Sequence, residues 1–253
     1  MGEKENKKLF ALIGRNISYS FSRGYFEKKF SSLGLNEHDY VNFDLESLGE
    51  LTDKISQNKE ILKGMNVTIP YKLEIFNFLD EIDKEAEKIG AVNTIKIENN
   101  GKLIGFNTDV FGFKKSLKPL LKSYHKYALI LGTGGASKAV AHVLESLNIE
   151  FAFVSRTKQK ESNCISYSDL NSELMSKYFL MINCTPLGTY PDIEKCPDIP
   201  YTYLNDKHLL YDLIYNPSET SFLKKGKEQG ATIKNGLEML EQQAEKAWEI
   251  WNK

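Results

Sequence analysis

Short apolar runs alternate along this chain with stretches whose apolar residues recur at helical spacing. Leu9 to Ile13 reads as a strand, and Arg23 to Phe30 then carries aromatics at the spacing of one helix face. Tyr40 to Phe43 predicts a second strand and Ser47 to Gln57 a helix. Lys63 to Val67 predicts a third strand, running into Thr68-Ile69-Pro70, where Pro70 lacks the N–H a ladder needs. This βαβαβ rhythm predicts a largely parallel sheet. The alternating acids and lysines from Asp80 to Lys88 predict a solvated helix face. Ala91 to Glu98 and Lys102 to Phe106 flank Asn99-Asn100-Gly101, whose Asn-Gly pair suits the positive φ angles of a tight hairpin turn. Asn107-Thr108-Asp109 follows at the predicted start of a helix reaching about Leu121.

The second half repeats the alternation. Tyr127 to Leu131 is an apolar strand, the segment Gly132-Thr133-Gly134-Gly135-Ala136-Ser137 comes next, and Ala136 to Leu147 has helical spacing. Further strands are predicted at Glu150 to Val154, Phe179 to Ile182 and Leu209 to Leu213. A final helix from Gly236 to Trp251 puts Leu237, Leu240, Ala244, Ala247, Trp248 and Trp251 on one side. This order predicts a nucleotide-binding βαβ fold, so the class is α/β with two domains.

Length, charge and cysteine content narrow the function. The 253 residues suffice for one large domain or two medium ones, each with a buried core. Lys plus Arg number 33 against 34 Asp plus Glu, so no excess of positive charge draws the chain to nucleic acid or an anionic membrane. A small-molecule partner is expected. Cys164, Cys184 and Cys196 are an odd set without CxxC spacing, and the four histidines are scattered, which predicts neither a disulfide framework nor a metal site. Met1 to Lys8 is polar, and no stretch of about 18 apolar residues occurs, so a cytoplasmic location is expected. Gly2 opens a myristoylation pattern that Asn6 breaks.

The Gly-rich segment carries chemistry. A backbone can approach a pyrophosphate only where side chains are absent, and a helix N-terminus offers unpaired N–H groups and partial positive charge. Gly132, Gly134 and Gly135 sit between an apolar strand and a helix, as a dinucleotide site requires, although Ser137 replaces the third glycine of G-x-G-x-x-G. The next strand ends in Ser155-Arg156-Thr157, with Arg156 24 residues beyond Gly132, where an NAD site normally places an acid. A guanidinium there can bind the 2′-phosphate through paired donors, which favours NADP.

Several blocks in order resemble the shikimate dehydrogenase family: Ile17-Ser18-Tyr19-Ser20, Asn66-Val67-Thr68-Ile69-Pro70-Tyr71-Lys72, Ala91-Val92-Asn93-Thr94 and Gly105-Phe106-Asn107-Thr108-Asp109. The Gly-rich loop with Ser155-Arg156-Thr157 follows, then Asn183-Cys184-Thr185-Pro186-Leu187-Gly188, Tyr211-Asp212-Leu213-Ile214-Tyr215-Asn216-Pro217 and Gly236-Leu237-Glu238-Met239-Leu240. The resemblance implies an NADP-dependent oxidoreductase reducing 3-dehydroshikimate reversibly to shikimate, in the chorismate pathway to aromatic amino acids. It implies a substrate domain of residues 1–108 plus 237–253 and a Rossmann-type domain of residues 109–236, with the site in the cleft between them. Monomer and homodimer both stay open.

By the same resemblance Lys72 and Asp109 are the catalytic pair, both also touching substrate. Ser18, Ser20 and Tyr215 serve the carboxylate, while Thr68, Asn93 and Gln243 serve the ring hydroxyls, with Asn66 a weaker candidate. Gln243 is preferred to Gln242 from its spacing to Gly236. Gly132, Thr133, Gly134, Gly135, Ala136, Ser155, Arg156, Thr157, Leu213 and Gly236 are implied for the cofactor. Departures occur at Ile17, where many members have His, at Phe21, a frequent proline position, and at Glu238, where small residues or proline are common. A quinate-type or amino-analogue dehydrogenase and a non-catalytic NADP-binding regulator are the alternatives.

Overall fold

A computed structural model describes residues 7–18, 20–156 and 163–253. Thr157, Tyr19 and the residues before Lys7 lie outside the described residues. The chain divides into two compact units, Met1–Thr108 with Gln243–Lys253, and Asp109–Gln242. The second division therefore falls inside the last helix.

The first unit contains β1 (Lys8–Gly14), α1 (Phe21–Ser32), β2 (His38–Asp44), α2 (Leu51–Gln57), β3 (Leu62–Val67), β4 (Glu81–Ile82), α3 (Lys84–Ile89), β5 (Thr94–Ile97) and β6 (Leu103–Phe106). Its six strands order as β2-β1-β3-β5-β6-β4. β1 runs parallel to β2 and β3, but β5 is antiparallel to both β3 and β6, so the sheet is mixed rather than largely parallel. The hairpin accounts for the β5–β6 reversal: a short turn can only return a strand antiparallel. Glu98 O accepts the Gly101 N–H at 2.8 Å, and Gly101 alone in that turn takes a positive φ, of 88°. The turn is thus a three-residue loop closing on a left-handed glycine rather than one with positive φ at both Asn100 and Gly101.

The segment Asp80 to Lys88 also differs from a continuous solvated helix. Asp80 donates its N–H to Leu103 O and accepts the Leu103 N–H on Oδ2 at 2.7 Å, which brings β4 to the sheet edge beside β6. The Asp83 side chain accepts the Glu85 N–H and caps α3, Gly90 closes it with φ 70°, and Ala86 and Ile89 are buried.

One face of this sheet packs Leu9, Ala11, Ile13, Met65, Val67 and Ile95 with α2 and α3 residues into an aliphatic core. The other is aromatic: Phe10, Phe26, Phe30, Tyr40 and Trp251 pack beneath α1 and α8 (Leu237–Trp251). Trp251 stacks on Phe10 at 4.7 Å and donates from Nε1 to Ile95 O at 3.0 Å. The Glu245 carboxylate of α8 accepts from Lys29 Nζ at 2.7 Å and from the Tyr25 hydroxyl, which ties the Gln243–Trp251 stretch of the helix to α1.

The second unit contains α4 (Asp109–Leu117), β7 (Tyr127–Leu131), α5 (Gly135–Ser146), β8 (Glu150–Ser155), β9 (Cys164–Ser166), α6 (Ser172–Lys177), β10 (Leu180–Asn183), β11 (Leu209–Asp212), α7 (Ser221–Glu228) and β12 (Thr232–Lys234). All pairings in its sheet are parallel, in the order β12-β11-β10-β7-β8-β9. Renumbered within the unit, this is the doubly wound order 6-5-4-1-2-3 of dinucleotide-binding sheets, which reverses between β7 and β10. Leu129, Leu131, Ala152, Val154, Met181, Leu210 and Phe222 form its core.

Candidate active site

In the first unit the predicted substrate residues collect at one edge of the sheet, beyond the C-terminal ends of β1 and β3. Gly14 ends β1, and an added Cβ would lie 2.5 Å from Ile17 Cγ2 and 2.6 Å from Thr68 Cγ2, so only a glycine lets the two loops approach this closely. Asp44 accepts the backbone N–H groups of Asn16 at 2.7 Å and Ile17 at 3.2 Å, and Asn42 Nδ2 donates to Ile17 O at 2.9 Å. Those bonds hold the turn carrying Ser18, which is exposed, and Ser20, whose Oγ caps α1 by accepting the Ser22 N–H at 3.2 Å. Ile17, where a histidine is common in the resembling family, is buried in the aromatic core.

Lys72 lies in the turn after β3 and is half-buried. Its neighbour Tyr71 is buried, with its hydroxyl on Leu45 O at 2.6 Å, and Lys72 O accepts the Val92 N–H at 2.9 Å. That last bond sets the Lys72 backbone one residue from Asn93. Thr68 N–H donates to Ile13 O at 2.8 Å, joining the same edge.

Asn93 is 4 % exposed and its amide has a defined orientation. Oδ1 accepts the Thr108 N–H at 2.7 Å and the hydroxyls of Thr108 and Thr94 at 3.2 Å each. A backbone N–H can only donate, so the atom facing it is the oxygen, and Nδ2 must point the other way. Nδ2 lies 3.5 Å from Gln243 Oε1, whereas Asn66 is turned toward Tyr40 and Thr94 inside the sheet.

In the second unit β7 ends at the strand-order reversal. Gly132 takes φ 99°, and an added Cβ would lie 2.9 Å from Thr185 Cγ2 in the loop after β10. Around Gly134 and Gly135 an added Cβ would meet no protein atom within 4 Å, and Gly135 begins α5. Thr133 and Gly134 are exposed and Ala136 half-buried at this helix start. The loop therefore offers bare backbone and N–H donors to an anionic group, as a dinucleotide pyrophosphate would need. Ser137, in place of the third glycine, is buried and donates from Oγ to Gly134 O at 2.6 Å, so it closes the loop on itself. Ser155 ends β8 and the exposed Arg156 follows it directly; Val154 of the same strand pairs with Leu131 at the end of β7. Arg156 thus comes directly after the strand that pairs with β7, the strand leading into the Gly-rich loop.

Asp109 begins α4 and is buried; Tyr215 is half-buried, beyond β11. Leu213 and Gly236 are in close backbone contact, since an added Cβ at Gly236 would lie 2.1 Å from Leu213 O. Beneath them lies a network that the sequence reading missed. Asn183 Nδ2 donates to Asp212 Oδ1 at 3.0 Å, and Asn183 Oδ1 accepts from the Thr185 N–H and hydroxyl. Asp212 also accepts the Ile214 N–H at 3.0 Å and the Thr220 hydroxyl at 2.6 Å. Burial pushes the Asp212 carboxyl up to about 6, against the pull of those donors. The signal was present: Asn183 and Asp212 are the polar residues that end two otherwise apolar strands. Among the described residues no group of His, Cys, Asp and Glu is arranged to hold a metal ion, and all three cysteines are free. No described helix is long and apolar enough to cross a membrane.

Comparison with known proteins is consistent over nearly the whole length. The family described as the shikimate dehydrogenase substrate binding domain matches residues 12–95. The shikimate dehydrogenase (NADP(+)) of Methanococcus aeolicus is 40% identical over 96% of this chain and 91% of its own. That of Carboxydothermus hydrogenoformans is 39% identical with the same coverage. Among solved structures, the Thermus thermophilus shikimate 5-dehydrogenase in complex with NADP(H) and shikimate superposes with a TM-score of 0.84 at 32% identity, covering 96% of this chain and 93% of its own. A quinate dehydrogenase from Corynebacterium glutamicum shares the fold with a TM-score of 0.84 at 24% identity, over 97% of this chain and 93% of its own.

Proposed function

The chain belongs to the shikimate dehydrogenase family, and from that premise we propose that it interconverts 3-dehydroshikimate and shikimate with NADPH and NADP as the redox pair. The observation that carries this reading is the convergence of the Ser18–Ser20 turn, Thr68, the Lys72 backbone and Asn93 at one sheet edge of the first unit. The second unit supports it with open glycines at the start of α5 and Arg156 after β8.

Bound NADPH supplies the hydride. Reduction of the ketone builds negative charge on its oxygen, which the Lys72 ammonium stabilises and protonates. Asp109 holds that ammonium in place against the reacting oxygen. Short donors at Ser18 and Ser20, with Tyr215, take the substrate carboxylate, and Thr68, Asn93 and Gln243 take its hydroxyls. Gly132, Thr133, Gly134, Gly135, Ala136, Leu213 and Gly236 lend backbone to the cofactor, and Ser155, Arg156 and Thr157 hold its 2′-phosphate. The substrate domain of this reading is residues 1–108 plus 237–253 and the cofactor domain residues 109–236. The enzyme is a cytoplasmic monomer or homodimer making shikimate for the aromatic amino acid pathway.

The deciding assay follows dinucleotide reduction with shikimate and quinate side by side, each with NADP and NAD. Turnover with shikimate and NADP should exceed every other combination by at least about tenfold, the scale of one charge-assisted hydrogen bond. Faster turnover of quinate would move the substrate assignment, and equal use of NAD would remove Arg156 from its role.

A further inference from the structure

The Asn93 amide is not oriented by its own neighbours alone. A directional chain of hydrogen bonds leads to it through the sheet. Tyr40, stacked on Phe26 at 4.6 Å, donates its hydroxyl to Asn66 Oδ1 at 2.9 Å. Asn66 and Thr94 are register partners across β3 and β5. Asn66 Nδ2 accordingly donates to Asn93 O at 3.3 Å and to Thr94 Oγ1 at 3.1 Å. With a lone pair of Thr94 so occupied, its hydroxyl proton goes to Asn93 Oδ1 at 3.2 Å or to Thr108 Oγ1 at 3.3 Å, and the Thr108 hydroxyl itself donates to Asn93 Oδ1 at 3.2 Å, so both routes end on the same oxygen. Thr94 is fully buried, so no water competes for that proton.

The consequence is a preset polarity. The donors pass their hydrogens in one direction, from Tyr40 through Asn66 to Thr94 and from there, directly or by way of Thr108, to Asn93 Oδ1. The face of Asn93 turned away from the sheet is then the N–H₂ group, and Gln243 Oε1 lies on that side. Chains of this kind strengthen each bond, and a preset group loses less entropy when a ligand meets it.

We propose that Thr94, backed by Asn66 and Tyr40, is a positioning residue that fixes Asn93 as a hydrogen-bond donor to a substrate oxygen, so that this position takes a ring hydroxyl acting as acceptor. The proposal rests on Asn93 being a substrate contact, as in the preceding section. Thr94→Val removes the hydroxyl while keeping the shape. It removes one of the three donors to Asn93 Oδ1, leaving the Thr108 N–H and hydroxyl, so the amide is held less tightly, which weakens substrate binding without touching the hydride or proton path.

The test is the steady-state oxidation of shikimate by NADP with the full-length protein and four variants: Thr94→Val, Thr94→Ser, Asn93→Ala, and Asn93→Ala combined with Thr94→Val. Thr94→Val should raise the KM for shikimate about tenfold, the scale of one buried hydrogen bond, with kcat and the KM for NADP changed by less than about twofold. Thr94→Ser should bring the KM back. In the Asn93→Ala background, Thr94→Val should add nothing, because the group it orients is gone. An equal KM increase in both backgrounds, or none in the wild type while Asn93→Ala raises KM, overturns the positioning role and leaves Asn93 as a contact. An Asn93→Ala protein with unchanged KM refutes the contact and the proposal together. Should Thr94→Val not fold, Tyr40→Phe decides the matter, since it deletes only the hydroxyl at the far end of the chain. A rise of about twofold to fivefold in the same KM supports the relay, and an unchanged KM contradicts it.

Discussion

Lys72 and Asp212 are ionisable residues at or beyond the ends of strands, and their surroundings differ. Lys72 is half-buried in a turn pinned by Tyr71 and Val92, which fixes its backbone. Lys72→Ala should retain NADPH binding, measured by fluorescence, and lose turnover by at least about 100-fold, the usual contribution of a positioned proton donor. Undiminished turnover would take Lys72 out of the reaction. Asp212 is fully buried among donors from Asn183 at the end of β10 and from Ile214 and Thr220 in the segment between β11 and α7, and burial raises its carboxyl to about 6. An unfolded aspartate releases its proton near pH 4, so between about pH 4 and 6 the folded protein holds a proton that the unfolded chain has lost. This group therefore favours the folded state most below about pH 4, and that advantage is lost as pH rises through about 6. Asp212→Asn lacks the titration. Urea unfolding should show the wild type losing on the order of 3 kcal/mol relative to the variant between pH 4 and 7. A pH-independent difference would place the carboxyl at its ordinary value.

At the scale of elements, the periodic pattern was legible wherever burial dictated it. Leu9 to Ile13 and Tyr127 to Leu131 are apolar because both faces of their strands are covered, and both strands stand where the pattern put them. The two-residue β4 and the three-residue β12 were not legible, since Glu81-Ile82 and Thr232-Ile233-Lys234 are too short and polar to show a period. Strand direction was hidden too, because the antiparallel placement of β5 against β3 is set by tertiary pairing rather than by any periodicity. The aromatic face offers an element-scale test. An added Cβ at Gly64 on β3 would lie 2.3 Å from the indole of Trp251, so Gly64→Ala forces α8 or its tryptophan off the sheet. It should destabilise the protein by about 1–3 kcal/mol in urea unfolding, the range of an overpacked core. An unchanged midpoint would mean that the ring yields freely and that α8 is not anchored there.

Across the whole molecule, each unit brings its candidate site residues to one edge of its own sheet. The first does so by crowding loops around Gly14, the second by the strand-order reversal between β7 and β10. The blocks around Ser18, Lys72, Asn93 and Asp109 made the family readable, because their residue types recur in a known order, and the site assignment follows from it as a proposal. The partners of those residues were not readable. Asn66 meets Thr94 only through the register of two antiparallel strands, and Asn183 meets Asp212 only through two parallel ones. Those contacts lie 28 and 29 residues apart in the chain, with no local signal linking them. The proposed reaction is tested most directly by mixing the purified protein with NADPH and 3-dehydroshikimate and following the loss of NADPH absorbance. The prediction is stoichiometric consumption with shikimate as product. A protein that binds NADPH yet leaves its absorbance unchanged would contradict it and make the chain a dinucleotide-binding regulator instead.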